Sequence, residues 1–185
     1  TYDDQHQIYG LRLIITEMIY ILKHGLSYDG YRGPINPKAL YKHIKFFKDH
    51  KIIQKVYELM HKDYSKQNPI SVFKYQSIDT SYIMNKNGKE NIGRNTHFKN
   101  KNCFKVSCIM DTNRIPLSIK VVSGNRNDAK IGIENMDELM NHVKQINVKC
   151  KPYILAAAMY DTNEFRNKYI TFGYTPITDY NPRNT

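Results

Sequence analysis

Two stretches decide the fold: Lys74–Met84 (KYQSIDTSYIM) and Gly93–Lys130 (GRNTHFKNKNCFKVSCIMDTNRIPLSIKVVSGNRNDAK). The first, taken from Ser71 to Ile83, alternates apolar and polar residues as a half-buried strand does, with Asp79 directly after Ile78 and expected near the strand's end. The run Cys103–Met110 breaks at Asp111-Thr112-Asn113, a turn-forming cluster, and Ile115–Val122 continues beyond it, which predicts a hairpin closed by Ser123-Gly124-Asn125-Arg126-Asn127. Beyond these strands the pattern predicts a helix over Ala129–Ile146, with Ile133, Met136, Leu139, Met140 and Val143 inward. Lys151–Met159 (KPYILAAAM) follows as a central strand buried on both faces, then a short helix over Asn163–Ile170 and a last strand at Tyr174–Thr178.

The region through Ser65 reads as helical. Leu11, Ile14, Ile15, Met18, Ile19 and Leu22 recur at helical spacing as one apolar stripe, and Gly25 ends that helix. Asn36-Pro37 offers a cap and a first-turn proline for a helix over Lys38–Asp49, with Leu40, Ile44 and Phe47 inward and Lys38, Lys42, Lys45 and Lys48 outward. A third helix, Ile52–Tyr64, is expected to turn Ile53, Val56, Tyr57 and Met60 inward. Such a lysine face serves a helix-turn-helix reader of DNA and equally an ordinary solvated bundle. Gln67-Asn68-Pro69 marks the boundary between a helical DNA-binding-type region, residues 1–66, and a second domain, residues 70–185.

Composition sets bounds. With 41% hydrophobic and 24% charged residues in 185, the chain is globular in type. Its 28 Lys+Arg against 17 Asp+Glu leave a net charge of +11, which favours polyanionic partners, although an AT-rich coding bias toward Lys, Asn, Ile and Tyr produces the same balance. The apolar segment Leu11–Leu22 is too short and too interrupted to span a bilayer, and the acidic, polar start lacks the pattern of a secretion signal. Cys103, Cys108 and Cys150 cannot pair completely and do not have zinc-ligand spacing, which points to reduced thiols in an intracellular protein. The seven histidines form no ligand-spaced pair.

Asp79-Thr80-Ser81, Gly93-Arg94, the hairpin from Asp111 to Leu117, the phrase Ser123-Gly124-Asn125-Arg126-Asn127-Asp128, Ile21–Tyr28 (ILKHGLSY) and Tyr160-Asp161-Thr162 together resemble the insertion-sequence DDE transposases. That resemblance implies an α+β (or α/β) architecture: a helical N-terminal region followed by a ribonuclease-H-like mixed sheet with flanking helices, incomplete at the C-terminus. It implies DNA as partner, Mg²⁺ as cofactor, and cleavage and transfer of DNA strands by two cations held on converging carboxylates. Asp79 matches the first catalytic and metal-binding acid, whereas Ala157 stands where the second belongs, and the chain stops before the helix that would carry a glutamate. Asp161 and Asp128 read better as helix caps than as ligands. Activity as given is therefore expected to be negligible. DNA contacts are expected from Lys38, Lys42, Lys45, Lys86, Lys89, Arg94, Lys99 and Lys105, and a homodimer is compatible with the same reading. A non-catalytic DNA-binding protein of the same descent, and an interaction module whose basicity is only coding bias, are the alternatives.

Overall fold

In the computed structural model, residues 9–68, 74–84, 92–96, 99–143 and 151–184 are described. The chain divides into two units, Thr1–Met60 and His61–Thr185.

The first unit is helical. Helix α1 (Leu11–His24) ends on Gly25, whose left-handed φ of 61° lets its N–H turn back to the carbonyls of Ile21 and Leu22. Helix α2 (Pro37–Asp49) starts as expected: the Asn36 side chain accepts a 2.9 Å hydrogen bond from the Lys38 N–H and Pro37 occupies the first turn. Helix α3 (Ile52–Gln67) runs past the division at Met60. The core consists of Ile14, Met18, Ile21, Tyr31, Ile35, Leu40 and Phe47. Within it the Tyr31 hydroxyl donates to Glu17 at 2.7 Å, and burial, reinforced by that carboxylate, pushes the phenol up to about 12.

Two apolar stripes differ from expectation. On α1 only Ile14, Met18 and Ile21 are buried, whereas Leu11, Ile15, Ile19 and Leu22 are exposed by 49%, 42%, 58% and 75%. On α3, Ile53, Val56 and Met60 are exposed and Tyr57 is half-buried. Periodicity identifies an apolar face but not whether anything lies against it.

The second unit holds strands β1 (Tyr75–Met84), β2 (Gly93–Asn95), β3 (Lys101–Asp111), β4 (Pro116–Ser123), β5 (Tyr153–Ala156) and β6 (Thr175–Thr178), with helix α4 (Asp128–Val143) between β4 and β5 and α5 (Asn163–Thr171) between β5 and β6. β1, β3 and β4 form an antiparallel meander; β5 joins β1 in parallel and β6 joins β5 in parallel. β2 continues along the β3 edge where β4 leaves off. The unit is thus a mixed sheet with flanking helices, in the strand and helix order the resemblance implies, with β2 as an added short strand. At the hairpin, Asp111 accepts from the N–H groups of Asn113 and Ile115 at 2.9 Å each, and the Tyr64 hydroxyl ties the end of α3 to the same carboxylate at 2.5 Å.

One face of the sheet is covered. Ile78, Ile109, Leu117 and Ile154 pack against Ala129, Met136 and Leu139 of α4 and Phe165 and Tyr169 of α5. Helix α4 comes close because residue 132 is glycine: a Cβ there would meet the Phe165 ring at 2.9 Å and Tyr160 at 3.0 Å. Below this core runs a buried polar chain, Asn135 donating to Ser107 at 3.1 Å and accepting from Ser118. The opposite face, by strand alternation, carries Tyr75, Ser77, Asp79, Ser81 and Ile83 of β1 beside Val106, Cys108 and Met110 of β3, Ile119 and Val121 of β4, Leu155 of β5 and Ile177 of β6. Ile119, Val121, Leu155 and Ile177 are exposed by 48%, 49%, 44% and 48%. β5 lies inside the sheet, between β1 and β6, but among the described residues only one of its faces is covered.

Candidate active site and nucleic-acid interface

Asp79 lies in the interior of a ten-residue β1, not near its end, because β1 continues to Met84 along β3. Its carboxylate is exposed on the uncovered face, with an oxygen 2.8 Å from the Thr80 N–H, and its cross-strand partner is Cys108. The partly buried Cys108 thiol is pushed up by desolvation, which keeps it protonated. On the other neighbouring strand the parallel register ends at Ile78↔Ala156. Ala157, the next residue, stays extended (φ −68°, ψ 167°) and is exposed, just past the end of β5. The register thus ends one step short of the two positions that the sequence resemblance pairs. From the covered face, the Tyr160 hydroxyl meets the Thr80 hydroxyl at 2.5 Å, and burial raises the phenol's pKa above the ordinary tyrosine value. Sequence reasoning passed over Tyr160 as a contact; its only signal was its place in Tyr160-Asp161-Thr162.

The other two acids are committed elsewhere, and neither is the cap it was expected to be. Thr162 caps α5, its hydroxyl accepting from the Phe165 N–H at 3.2 Å. Asp161 instead accepts from the Asn181 N–H at 2.9 Å and pairs with Arg166; the Asn181 bond is the chief cause holding its carboxyl below the usual range. At α4, Asn127 accepts from the Lys130 N–H at 3.2 Å, while Asp128 pairs with Lys105 at 2.7 Å. Both caps sit one residue before or after the acid expected to supply them.

That pairing corrects the place of Lys105 in the expected DNA-contacting set. Its side chain is buried, its ammonium donating to Asp128 and to the Arg126 carbonyl at 2.6 Å and lying 4.8 Å from the centre of the Tyr82 ring. Lys120 of β4 with Glu138 and Glu134 of α4, and Arg126 of the intervening loop with Glu134, form a further ion-pair cluster; the Arg126 hydrogen bond is the main cause holding Glu134 below its ordinary value. By contrast Lys38, Lys42 and Lys45 are exposed along α2, and Arg94 and Lys99 are exposed near β2. Lys86 and Lys89 lie outside the described residues.

Among the described residues no group of three or more His, Cys, Asp or Glu side chains could hold a metal ion. Around Asp79 the neighbours are an alanine and a cysteine, a donor set that does not fit a pair of hard cations, which take oxygen ligands. Among the described residues no helix is long and apolar enough to cross a membrane.

No family model matches the chain. No curated protein matches it. Among solved structures, similarity is found to a piggyBac transposase synaptic complex with hairpin DNA (TM-score 0.44, 12% identity, 58% of this chain and 23% of that one). It is also found to the catalytic domain of the Mos1 mariner transposase (0.44, 10%, 68% and 57%) and to a simian T-cell lymphotropic virus intasome in complex with a PP2A regulatory subunit (0.40, 15%, 62% and 35%). The chain thus spans 57% or less of the length of each of these structures.

Proposed function

We propose that this chain is a DNA-binding protein of DDE-transposase descent in which metal-dependent strand cleavage is lost. The observation that supports the reading is the β1–β5 register: it runs to Ile78↔Ala156, and we read the next residues, Asp79 and Ala157, as the positions of a cation-binding acid pair with one acid gone. A single exposed carboxylate leaves the position of a Mg²⁺ ion undefined for in-line attack. The sequence phrases around Asp79, Asp111 and Tyr160 and the order of strands in the sheet support the descent. Residues 1–66 act as the DNA-contacting region and residues 70–185 as the catalytic-type domain; the unpaired Cys103 and Cys108 thiols suit a reducing, intracellular setting.

DNA contact rests on Lys38, Lys42 and Lys45 with Arg94 and Lys99, and is mainly to phosphate, hence weakly sequence-specific. Two measurements test the proposal together. Duplex binding should weaken steeply between about 50 and 200 mM salt; affinity that stays flat over that range removes the phosphate-contact reading. Strand cleavage with Mg²⁺ or Mn²⁺ should be absent, and robust cleavage abolished by Asp79→Ala would overturn the claim of lost catalysis.

A further inference from the structure

The ion pairs among the described residues all lie in the second unit, where Lys105, Lys120, Arg126, Arg166 and Lys168 each meet an aspartate or a glutamate. Helix α2 differs. It carries four lysines against one aspartate, and among the described residues none of Lys38, Lys42, Lys45 and Lys48 enters an ion pair. At 100° per residue Lys48, Tyr41, Lys45, Lys38 and Lys42 fall in that order within an arc of about 120°, opposite the buried Leu40 and Phe47. All five are exposed, and Asp49, at the helix's end, is the only acid in the arc. Tyr41 thus stands inside the cationic stripe. Lys38, three residues before it, and Lys45, four after it, are its neighbours along the helix surface, with Cβ atoms about 5–6 Å away.

Tyr41 is 54% exposed although it touches another ring. Tyr28, in the loop after α1, meets it edge-on, with 5.6 Å between centroids and 76° between planes. A T-shaped contact steadies the ring and covers at most one of its two faces. Among the described residues no cation lies over the Tyr41 ring. A buttressed ring with an open face, set between ammonium groups, supplies what an unpaired nucleobase needs: a flat π surface for the base and cations for the phosphates on either side of it. A base stacked inside a duplex has no face free for such a ring. We propose that Tyr41 is a stacking platform for an unpaired base, so that the α2 face takes single-stranded DNA in a mode distinct from its phosphate contact with duplex. The inference rests on the DNA-contact reading above and adds a second class of ligand to it. Tyr28 is a positioning residue in this arrangement, acting through the Tyr41 ring.

Fluorescence anisotropy of the full chain with a labelled oligothymidine, whose bases stay unpaired, and with a duplex of the same length tests this. Tyr41→Ala should weaken oligothymidine binding at least about 5-fold and leave duplex affinity as in wild type. The slope of log affinity against log salt should stay unchanged for both ligands, because no phosphate contact is lost. Tyr41→Phe keeps the ring and should bind oligothymidine as wild type does. The chain has no tryptophan, so the indole of Tyr41→Trp reports alone: oligothymidine should quench its emission and the duplex should not. Circular dichroism with thermal melting shows whether each variant folds, and the Tyr41→Trp quenching decides should Tyr41→Ala melt early. Oligothymidine affinity untouched by Tyr41→Ala, a Tyr41→Phe protein as weak as Tyr41→Ala, or an indole that oligothymidine quenches no more than duplex does, each overturns the proposal. A wild type that binds neither ligand overturns the DNA-contact reading as well, whereas one that binds duplex with a steep salt slope but is indifferent to Tyr41→Ala overturns this inference alone.

Discussion

Replacing Ala157 with aspartate tests the site's geometry at its decisive point. Residue 79 stands on β1 and residue 157 just past the end of β5, one step beyond the pair Ile78↔Ala156; if the strand spacing carries on for that step, their side chains leave the sheet about 4.8 Å apart. Two carboxylates about 5 Å apart repel by ~0.8 kcal/mol in bulk water and ~3 kcal/mol at an effective dielectric of 20. Both positions are exposed, so the lower end applies and about 1 kcal/mol of stability is lost. In a domain of this size that lowers Tm by roughly 3–5 °C. A divalent cation bridging the pair removes the repulsion and adds binding energy that only the folded state collects. Scanning calorimetry in EDTA and in millimolar Mn²⁺ measures both effects. The variant should melt below wild type in EDTA and regain the difference with Mn²⁺; wild type should show no matching response, and Asp79→Asn in the variant background should erase it. An Ala157→Asp protein indifferent to Mn²⁺ would refute the register.

Lys105→Met strands Asp128 at the start of α4 and should cost about 3–5 kcal/mol in denaturant unfolding, whereas Lys105→Met with Asp128→Leu should recover most of that loss. The triple variant Lys38→Ala, Lys42→Ala and Lys45→Ala should reduce the slope of log affinity for duplex DNA against log salt by up to about 2.7, roughly 0.9 per phosphate contact, without moving Tm. The carboxyls of Asp161 and Glu134 are held below their unfolded values, so each adds stability that is complete above about pH 4 and is lost as pH falls through the depressed value; Asp161→Asn should flatten the fall in Tm on the acid side while lowering Tm at neutral pH.

What could be read from sequence was what local chemistry sets. The Asp111 hairpin, the Asn36-Pro37 start and the Gly25 stop each depend on a few neighbouring residues, and each stands as expected. The alternation around Ile78 and the order of elements likewise carry through to the sheet. The rest depends on partners far away in the chain. Lys105 reads as a surface cation because nothing beside it reveals Asp128, 23 residues on. Asp128 and Asp161 read as caps because either could fill the place, yet Asn127 and Thr162 take it and free both acids for longer-range pairs. The stripes of α1 and α3 announce an apolar face but not its neighbour. In the same way, the apolar run of β5 matches a strand covered twice as well as one covered once.

The parallel pairing of β1 with β5 also bears on the order of folding. β1 pairs on one edge with β3, which follows it closely in the chain, but its other edge pairs with residues 78 positions later, as in Ile78↔Ala156. A contact so distant closes late, because the loop must be brought together before any ladder bond repays it. During synthesis, then, Tyr75–Ile78 wait with open hydrogen-bonding groups until Tyr153–Ala156 have been made. For that interval β1 is an edge strand rather than the middle of a sheet, with the tendency of such edges to pair with other chains.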